Sequence, residues 1–257
     1  MKKSLILAAL AFLAASTSLQ AQEYKTKLSG KDRKIVIDMQ GGDVTVEGYN
    51  GDEVVISSKG DNAYEEPNKR ADGLRPVYNT AIDNTKLGLA VTKTENTLHI
   101  AKASRADADY VIRVPRQSNL VFKQNGWNGG DLTVQNLDGS LEIAMTGDNA
   151  KLLNVSGPVV ANSVSGDITV RYSSMQSQPS SISVVSGDLD VTMPANAKAN
   201  LSLRSVSGEI YTDFDLAPNK GDLHRIGGQT ITGNINGGGS AVSLKTVSGD
   251  IFVRKAK

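Results

Sequence analysis

The sequence predicts an all-β fold of the β-solenoid or β-helix type, in which short strand repeats stack on one another. The first observation is a repeated phrase, Val-Ser-Gly-(Asp/Glu)-(Ile/Leu), whose glycines are Gly166, Gly187, Gly208 and Gly249. The second is that apolar and polar residues alternate on both sides of the phrase. The third is composition: 25 of 257 residues are glycine, and interior glycine weakens a helix by about 1 kcal/mol relative to alanine.

The alternation has a period of two, which is typical of half-buried strands. Ile168 and Val170, for example, alternate with Asp167 and Thr169. Ser-Gly-Asp between two such runs is turn chemistry, because glycine accepts positive φ and Ser or Asp bonds nearby backbone. We therefore expect one set of apolar residues to point inward, namely Val170, Ile182, Val184, Leu189, Val191, Leu201, Leu203, Val242, Leu244, Ile251 and Val253.

The spacing of the four glycines favours a solenoid. The steps are 21, 21 and 41 residues, and the last step is close to two periods. Stacking rewards equal repeats because it places equivalent positions in register. The irregular steps leave an antiparallel meander closing into a β-sandwich as the alternative. In the solenoid, the four glycines should occupy equivalent turns, with φ above zero at most of them.

The chain divides into a leader and one domain. Lys2 and Lys3, the apolar run that follows and Ala21 before Gln22 predict a secretory signal peptide over residues 1–21. Residues 22–257 read as a single β-repeat domain. A long loop insertion is expected at about 59–85, where the alternation stops. No later stretch is long and apolar enough to span a membrane.

Charge and cysteine content restrict the partners and the compartment. Without Lys2 and Lys3 the mature chain has 26 basic side chains and 27 acidic ones, which gives no reason to expect nucleic acid as a partner. The absence of cysteine excludes a disulfide and a lipidated cysteine. We expect an exported protein that is periplasmic, associated with the outer surface, or secreted.

Several motifs together resemble a bacterial family. Residues 110–115 (Tyr-Val-Ile-Arg-Val-Pro), 130–134 (Gly-Asp-Leu-Thr-Val) and the Val-Ser-Gly-Asp repeats are similar to the DUF4097 family of adhesin-like, toast-rack proteins. The ending, with glycines at 237–239 before the last repeat, is similar too. The resemblance covers nearly the whole mature chain. It implies an exported, repeat-strand fold, and it carries no established catalytic residues to this sequence.

The residues that most often carry chemistry are scattered. The turn acids Asp167, Asp188, Glu209 and Asp250 could form a ladder for Ca²⁺, which takes six to eight oxygen ligands, but we expect each acid to shape its own turn. His99 and His224 are isolated and indicate surface or strand positions. We therefore predict no catalytic residue, no metal and no cofactor.

The single tryptophan marks the one candidate ligand site. Trp127 lies among glycines and asparagines, where an exposed ring could stack on a sugar while Asn125 and Asn128 bond to its hydroxyls. The alternative is that the ring folds inward as a plug. If a small-ligand site exists, it should lie near Trp127 and the insertion at 59–85, because loops build concavity that flat strands do not.

These observations favour an exported, non-enzymatic protein of the cell envelope or the extracellular space, with a binding or scaffolding role. Its expected partners are a glycan, a cell-surface protein or a second copy of itself. Two alternatives stay open. One is a carbohydrate-active β-helix enzyme, which would need an acid-rich groove, and the other is a periplasmic envelope-stress component.

Overall fold

The structure is a computed structural model and describes residues 22–30, 32–59, 68–74, 81–127, 129–218 and 230–257. The predicted signal peptide at 1–21 lies outside these residues. The described residues form 21 strands and one short 3-10 helix, Lys69–Ala71. No helix among them is long and apolar enough to cross a membrane.

The strands, numbered along the chain, form two sheets. In spatial order, sheet A consists of β1 (Glu23–Lys27), β4 (Glu53–Lys59), β7 (Asp109–Pro115), β3 (Val44–Tyr49), β9 (Leu132–Gln135), β11 (Ala150–Val155), β13 (Ile168–Tyr172), β15 (Leu189–Met193), β21 (Ile251–Lys255) and β17 (Ile210–Thr212). Sheet B consists of β18 (Ala217–Pro218), β19 (Thr230–Ile235), β16 (Ala199–Ser207), β20 (Ser240–Ser248), β14 (Ser180–Ser186), β12 (Val159–Ser165), β10 (Leu141–Met145), β8 (Asn119–Gln124), β2 (Lys34–Met39), β6 (Thr97–Lys102) and β5 (Leu89–Thr94).

The chain alternates between the sheets, so each coil contributes one strand to sheet B and the next to sheet A. Neighbouring coils pair in parallel: β12 lies parallel to β14 in sheet B, and β13 lies parallel to β15 in sheet A. This pairing confirms the predicted solenoid-like stack and is incompatible with an antiparallel meander as the main architecture. Antiparallel pairs occur towards the two ends of the stack, as in β5–β6 and β16–β19.

The coils are not stacked in chain order at either end. The last coil, β20 and β21, lies between the β14–β15 coil and the β16–β17 coil. At the other end, β2 and β3 lie between the β6–β7 coil and the β8–β9 coil. The 41-residue step from Gly208 to Gly249 therefore does not skip over an intervening coil, because the two glycines belong to adjacent coils.

The core lies between the sheets. All eleven residues predicted to point inward are buried, none more than 3% exposed, so the predicted alternation is confirmed. The core continues beyond the repeats into the amino-terminal coils, where Ile35, Ile37, Leu120 and Phe122 are also buried. In a chain without cysteine, this packing and the two hydrogen-bonded sheets supply the cohesion.

The four repeat glycines occupy equivalent turns, as predicted. Each follows a strand of sheet B and precedes one of sheet A, with φ of +94° at Gly166, +150° at Gly187, +155° at Gly208 and +144° at Gly249. Space is a second constraint. A Cβ at Gly187 would overlap the carbonyl oxygen of Gly166, and one at Gly249 would overlap that of Gly187. Glycine is therefore required both for its backbone conformation and for the close approach of coils.

A ladder of acidic and amide side chains runs along the same edge. In each of its seven steps, the Oδ1 atom of one side chain accepts the backbone N–H of the equivalent residue in the next coil, at 2.7–3.0 Å. The ladder residues, in spatial order, are Asp109, Asp43, Asp131, Asn149, Asp167, Asp188, Asp250 and Glu209. The expectation that each acid shapes its own turn was wrong for Asp167, Asp188 and Asp250, because their Oδ1 atoms bond the neighbouring coil.

The predicted insertion at 59–85 is only partly described. Strand β4 runs to Lys59, and the 3-10 helix lies within residues 68–74. Further on, Asp83 accepts the backbone N–H groups of Thr85, Lys86 and Gly88 at 2.8–2.9 Å. These bonds order the chain just before β5, so the insertion ends in a defined turn.

Replacing a central core residue should measure the packing directly. Leu203 of β16 is fully buried, so Leu203→Ala should lower the free energy of unfolding by about 2–5 kcal/mol, the usual range for truncating a buried leucine. Urea unfolding followed by circular dichroism gives the value. Its neighbour Ser202 faces outward, and Ser202→Ala is the matched control. A loss below about 0.5 kcal/mol for Leu203→Ala would contradict the assigned strand register.

The stability contributed by the close contact between coils at the turns can be measured separately from the cost of backbone strain. Gly187 and Gly237 both have positive φ, but a Cβ at Gly237 would meet open space. Gly237→Ala should cost about 1–2 kcal/mol, which is the strain of a left-handed alanine. Gly187→Ala should cost more, because the added methyl overlaps backbone that cannot move aside. Equal losses of unfolding free energy would show that the coils are not held by this contact.

The ladder should tolerate an amide but not an alanine. Asp188→Ala removes the acceptor for the backbone N–H of Asp250 and should cost about 1–2 kcal/mol. Asp188→Asn should cost less, since Asn149 already occupies one position of the ladder with an amide oxygen. Chemical unfolding of both variants tests this. If the two variants lose the same stability, the acceptor oxygen is not what stabilises the turn.

Candidate functional site

The turn ladder does not gather ligands for a metal. Its Oδ1 atoms are already used as acceptors for backbone N–H groups, and the side chains are spread along the edge, one in each coil. Within the described ranges, no group of three or more His, Cys, Asp or Glu side chains could hold an ion. His99 is exposed on β6, as the sequence indicates, and His224 lies outside the described residues. The ladder is therefore a structural feature of the stack.

The tryptophan loop follows strand β8 and presents its ring to solvent. Trp127 is 70% exposed, so the ring does not fold inward as a plug. Asn125 is exposed and is tied to β2 by its backbone N–H, which donates to the carbonyl of Met39 at 3.2 Å. Gly126 has φ of +111°, which turns the chain outward. Asn128, the third predicted contact, lies outside the described residues.

A buried amide anchors the base of this loop. The Nε2 of Gln124 donates to the carbonyl of Gly130 at 2.9 Å and lies 3.4 Å from Oδ2 of Asp148. Gly129 packs so tightly on this amide that a Cβ there would overlap it. The exposed ring of Trp127 is thus carried on a loop whose two ends are fixed, which limits the conformational entropy lost when a ligand binds.

A polar pocket of about 600 Å³ opens beside the loop. Asn125 and Gly129 form part of its wall, and the rest comes from the end of β2, the turn after it, the end of β6 and the segment that follows β6. Its charged side chains are two acids and two bases. The described lining residues are Asp38, Met39, Gln40, Gly41, Ala101, Lys102, Ser104, Arg105, Asp107, Asn125 and Gly129.

One wall of the pocket is fixed by a buried tyrosine. The Nζ of Lys102 lies 3.0 Å from the hydroxyl of Tyr110 and 4.7 Å from its ring centroid, and that hydroxyl donates to the carbonyl of Leu87 at 2.8 Å. Burial, with a smaller contribution from the nearby Asp83 carboxylate, raises the pKa of Tyr110 well above its usual value. The phenol therefore stays neutral and keeps Lys102 at the pocket wall.

The ligand-binding role of Trp127, Asn125 and Asn128 stays a prediction. Trp127 is exposed and Asn125 lines the pocket beside it, but the described part of the 59–85 insertion contributes none of the described lining residues. The segment Ser104–Asp107 takes that place. No sequence motif marked Asp38, Lys102 or Arg105, because they meet only when β2 is inserted between β6 and β8.

A second cavity of about 550 Å³ lies at the opposite edge of the stack, between the loops that follow β13 and β15. Lys198 and Asn196 line it, with several serines. Nearby, the hydroxyl of Tyr172 donates to Ser180 at 3.1 Å, and burial raises the pKa of Tyr172 to about 12. Neither this cavity nor the polar pocket has an aromatic ring among its described lining residues, and the polar pocket differs in that residues flanking Trp127 form part of its wall.

Several solved bacterial structures align with most of this chain at low sequence identity. A "putative cell adhesion protein" from Clostridium sporogenes is 9% identical, with 92% of this chain and 100% of that chain covered and a TM-score of 0.47. A "putative adhesin" from Bacteroides fragilis is 12% identical, covering 93% and 98% of the two chains, with a TM-score of 0.29. No curated protein is significantly similar to the chain.

Family comparison gives the more direct result. Residues 128–254 match the family model described as Toastrack DUF4097. This range begins just after Trp127 and extends through the four Val-Ser-Gly-(Asp/Glu) repeats into the last strand, β21. The family indicated by the repeated motifs is thereby confirmed for residues 128–254, the part of the chain that the Toastrack DUF4097 model matches.

Proposed function

We propose that the protein is an exported, non-enzymatic binding protein of the cell envelope, and that Trp127 and the polar pocket beside it bind a glycan. The observation that carries the proposal is the 70% exposure of Trp127 on an anchored loop beside a polar pocket. An exposed tryptophan is costly to keep in water, and such a ring is typical of binding surfaces. The export part of the proposal rests on the signal-like first 21 residues.

The pocket has the chemistry that a sugar requires. An indole face packs against the C–H groups of a pyranose ring. In the neighbouring pocket, Asn125 and Gln40 carry amide groups that can donate to and accept from hydroxyl groups. Charged side chains at the wall, of which Lys102 is held by Tyr110, strengthen such hydrogen bonds.

The pocket gives less support to a glycosidase. Hydrolysis needs one carboxylic acid and one carboxylate held at a set separation across the sugar. The acids Asp38 and Asp107 share the pocket with an equal number of basic groups, Lys102 and Arg105, so the groove is not acid-rich. We therefore propose binding without cleavage as the function of this site.

Binding can be followed through the single tryptophan. Titration with neutral and acidic oligosaccharides should change the fluorescence of Trp127 and saturate, and Trp127→Ala should abolish the heat of binding measured by calorimetry. Tyr211→Ala is the matched control, because Tyr211 is an exposed aromatic (51%) on sheet A, outside the pocket. Chromatography of the incubated sugars tests for cleavage. A Trp127 that emits as a buried indole, or binding that survives Trp127→Ala, would contradict the proposed site.

A further inference from the structure

The outer face of sheet B carries an exposed row of valines. The residues are Val164, Val185, Val247 and Val206, from four adjacent strands, and they are 45–50% exposed. The parallel register places them side by side, because Ser163 pairs with Val184, Val184 with Thr246, and Thr246 with Ser205. Each is the valine of a Val-Ser-Gly repeat. The repeat therefore places an apolar stripe, which we call the valine row, on the outside of the stack.

Two basic side chains beside the valine row form no ion pair with an acidic side chain among the described residues. Arg204 pairs directly with Lys245 across β16 and β20, two residues before the valines. Both are exposed, and neither forms an ion pair with a described residue. No outward-facing residue of β12, β14, β20 or β16 is acidic. Like charges directly opposite each other destabilise a sheet, so this arrangement favours an anionic group from outside the face.

Acids lie on the other side of the same row. Three residues after each valine, past the Ser-Gly turn, comes an acidic ladder residue: Asp167, Asp188, Asp250 or Glu209. Asp188 and Asp250 each use their Oδ1 atom as an acceptor for the next coil, and their Oδ2 atoms take no part in the ladder. The exposed Glu209 ends the ladder, and its carboxylate accepts none of the ladder bonds. The face thus runs from cations through valines to acids.

We infer that two copies of this chain associate through their valine rows. The twofold axis would lie parallel to the row, so that valine meets valine along its length. This rotation exchanges the two sides of the row while keeping each coil opposite the same coil of the second copy. Arg204 then faces Glu209 of the second copy, and Lys245 faces Asp250. The surface is therefore complementary to itself, which is the requirement for a twofold interface.

The charges favour a twofold axis parallel to the valine row over one parallel to the strands. An axis along the strands would also bring the valine rows together, but it would place cations against cations, at a cost that opposes that arrangement. The face across the four strands is about 19 Å wide and about 27 Å long, or roughly 500 Å². Stable interfaces bury about 800 Å² per partner. We therefore expect a weak, salt-sensitive dimer that becomes populated at high micromolar concentration.

Analytical ultracentrifugation of the mature chain, from about 10 to 500 µM in low salt, tests the inference. A reversible monomer–dimer equilibrium is expected, with dissociation favoured at about 0.5 M salt, where charge pairs are screened. Arg204→Glu should raise the dimer Kd by about tenfold, and Glu209→Arg should also raise it. The double variant should restore association by reversing the pair. Lys151→Glu, on the outer side of sheet A, is the matched charge-reversal control.

A second measurement keeps folding separate from association. Val185→Thr changes little in volume, is half exposed, and should weaken the dimer without lowering the melting temperature by more than a few degrees. A chain that stays monomeric at the highest concentration in low salt would overturn the inference. So would association that Arg204→Glu leaves unchanged, or a double variant that remains as weak as the singles. None of these results bears on Trp127, so the glycan proposal stands or falls separately.

Discussion

The structure depends on how closely one coil can approach the next at the turn edge. Backbone meets backbone there: the position of a Cβ at Gly166, Gly187, Gly208 or Gly249 is taken by a carbonyl oxygen of the neighbouring coil. That approach brings the ladder oxygens within 2.7–3.0 Å of the next backbone N–H. Equal spacing at the edge then keeps the strands of both sheets in register. The valine row and the buried aliphatic layers follow from this same register.

The coils follow chain order in the middle of the stack and depart from it near each end. The β2–β3 coil and the β20–β21 coil each lie one position inside the coil that closes their end, so neither is terminal in space. Antiparallel strands lie outside them, such as β5 beyond β6 and β19 beyond β16. Repeat proteins need atypical terminal units to cover the hydrophobic ends of the stack, and these strands meet that need. The position of the β2–β3 coil also creates the polar pocket beside Trp127, because it places β2 between β6 and β8.

The alternation of apolar and polar residues predicts the fold and the core because it reports on each residue's own surroundings. Leu203 and Val253 are inward wherever their coils sit. Spatial order is different: the phrase Val-Ser-Gly-Asp marks a position within a coil but not which coil comes next, so Gly249 beside Gly187 could not be foreseen. The same reasoning applies to the pocket. Trp127 and Asn125 are near neighbours in sequence, so one motif marks both as candidates, whereas Asp38 and Arg105 meet Asn125 only through the inserted coil.

The inserted carboxyl-terminal coil has a consequence for how the chain reaches its native state. Strands β20 and β21 occupy the space between β14–β15 and β16–β17, whose strands are all made earlier. The β16–β17 coil therefore has no parallel neighbour in its native position until β20 (Ser240–Ser248) and β21 (Ile251–Lys255) have been synthesised. Contacts between segments far apart in sequence slow folding, because loops must close first. A chain emerging amino terminus first thus leaves this part of the stack incomplete until β20 and β21 arrive, and folding at this end waits for these two strands.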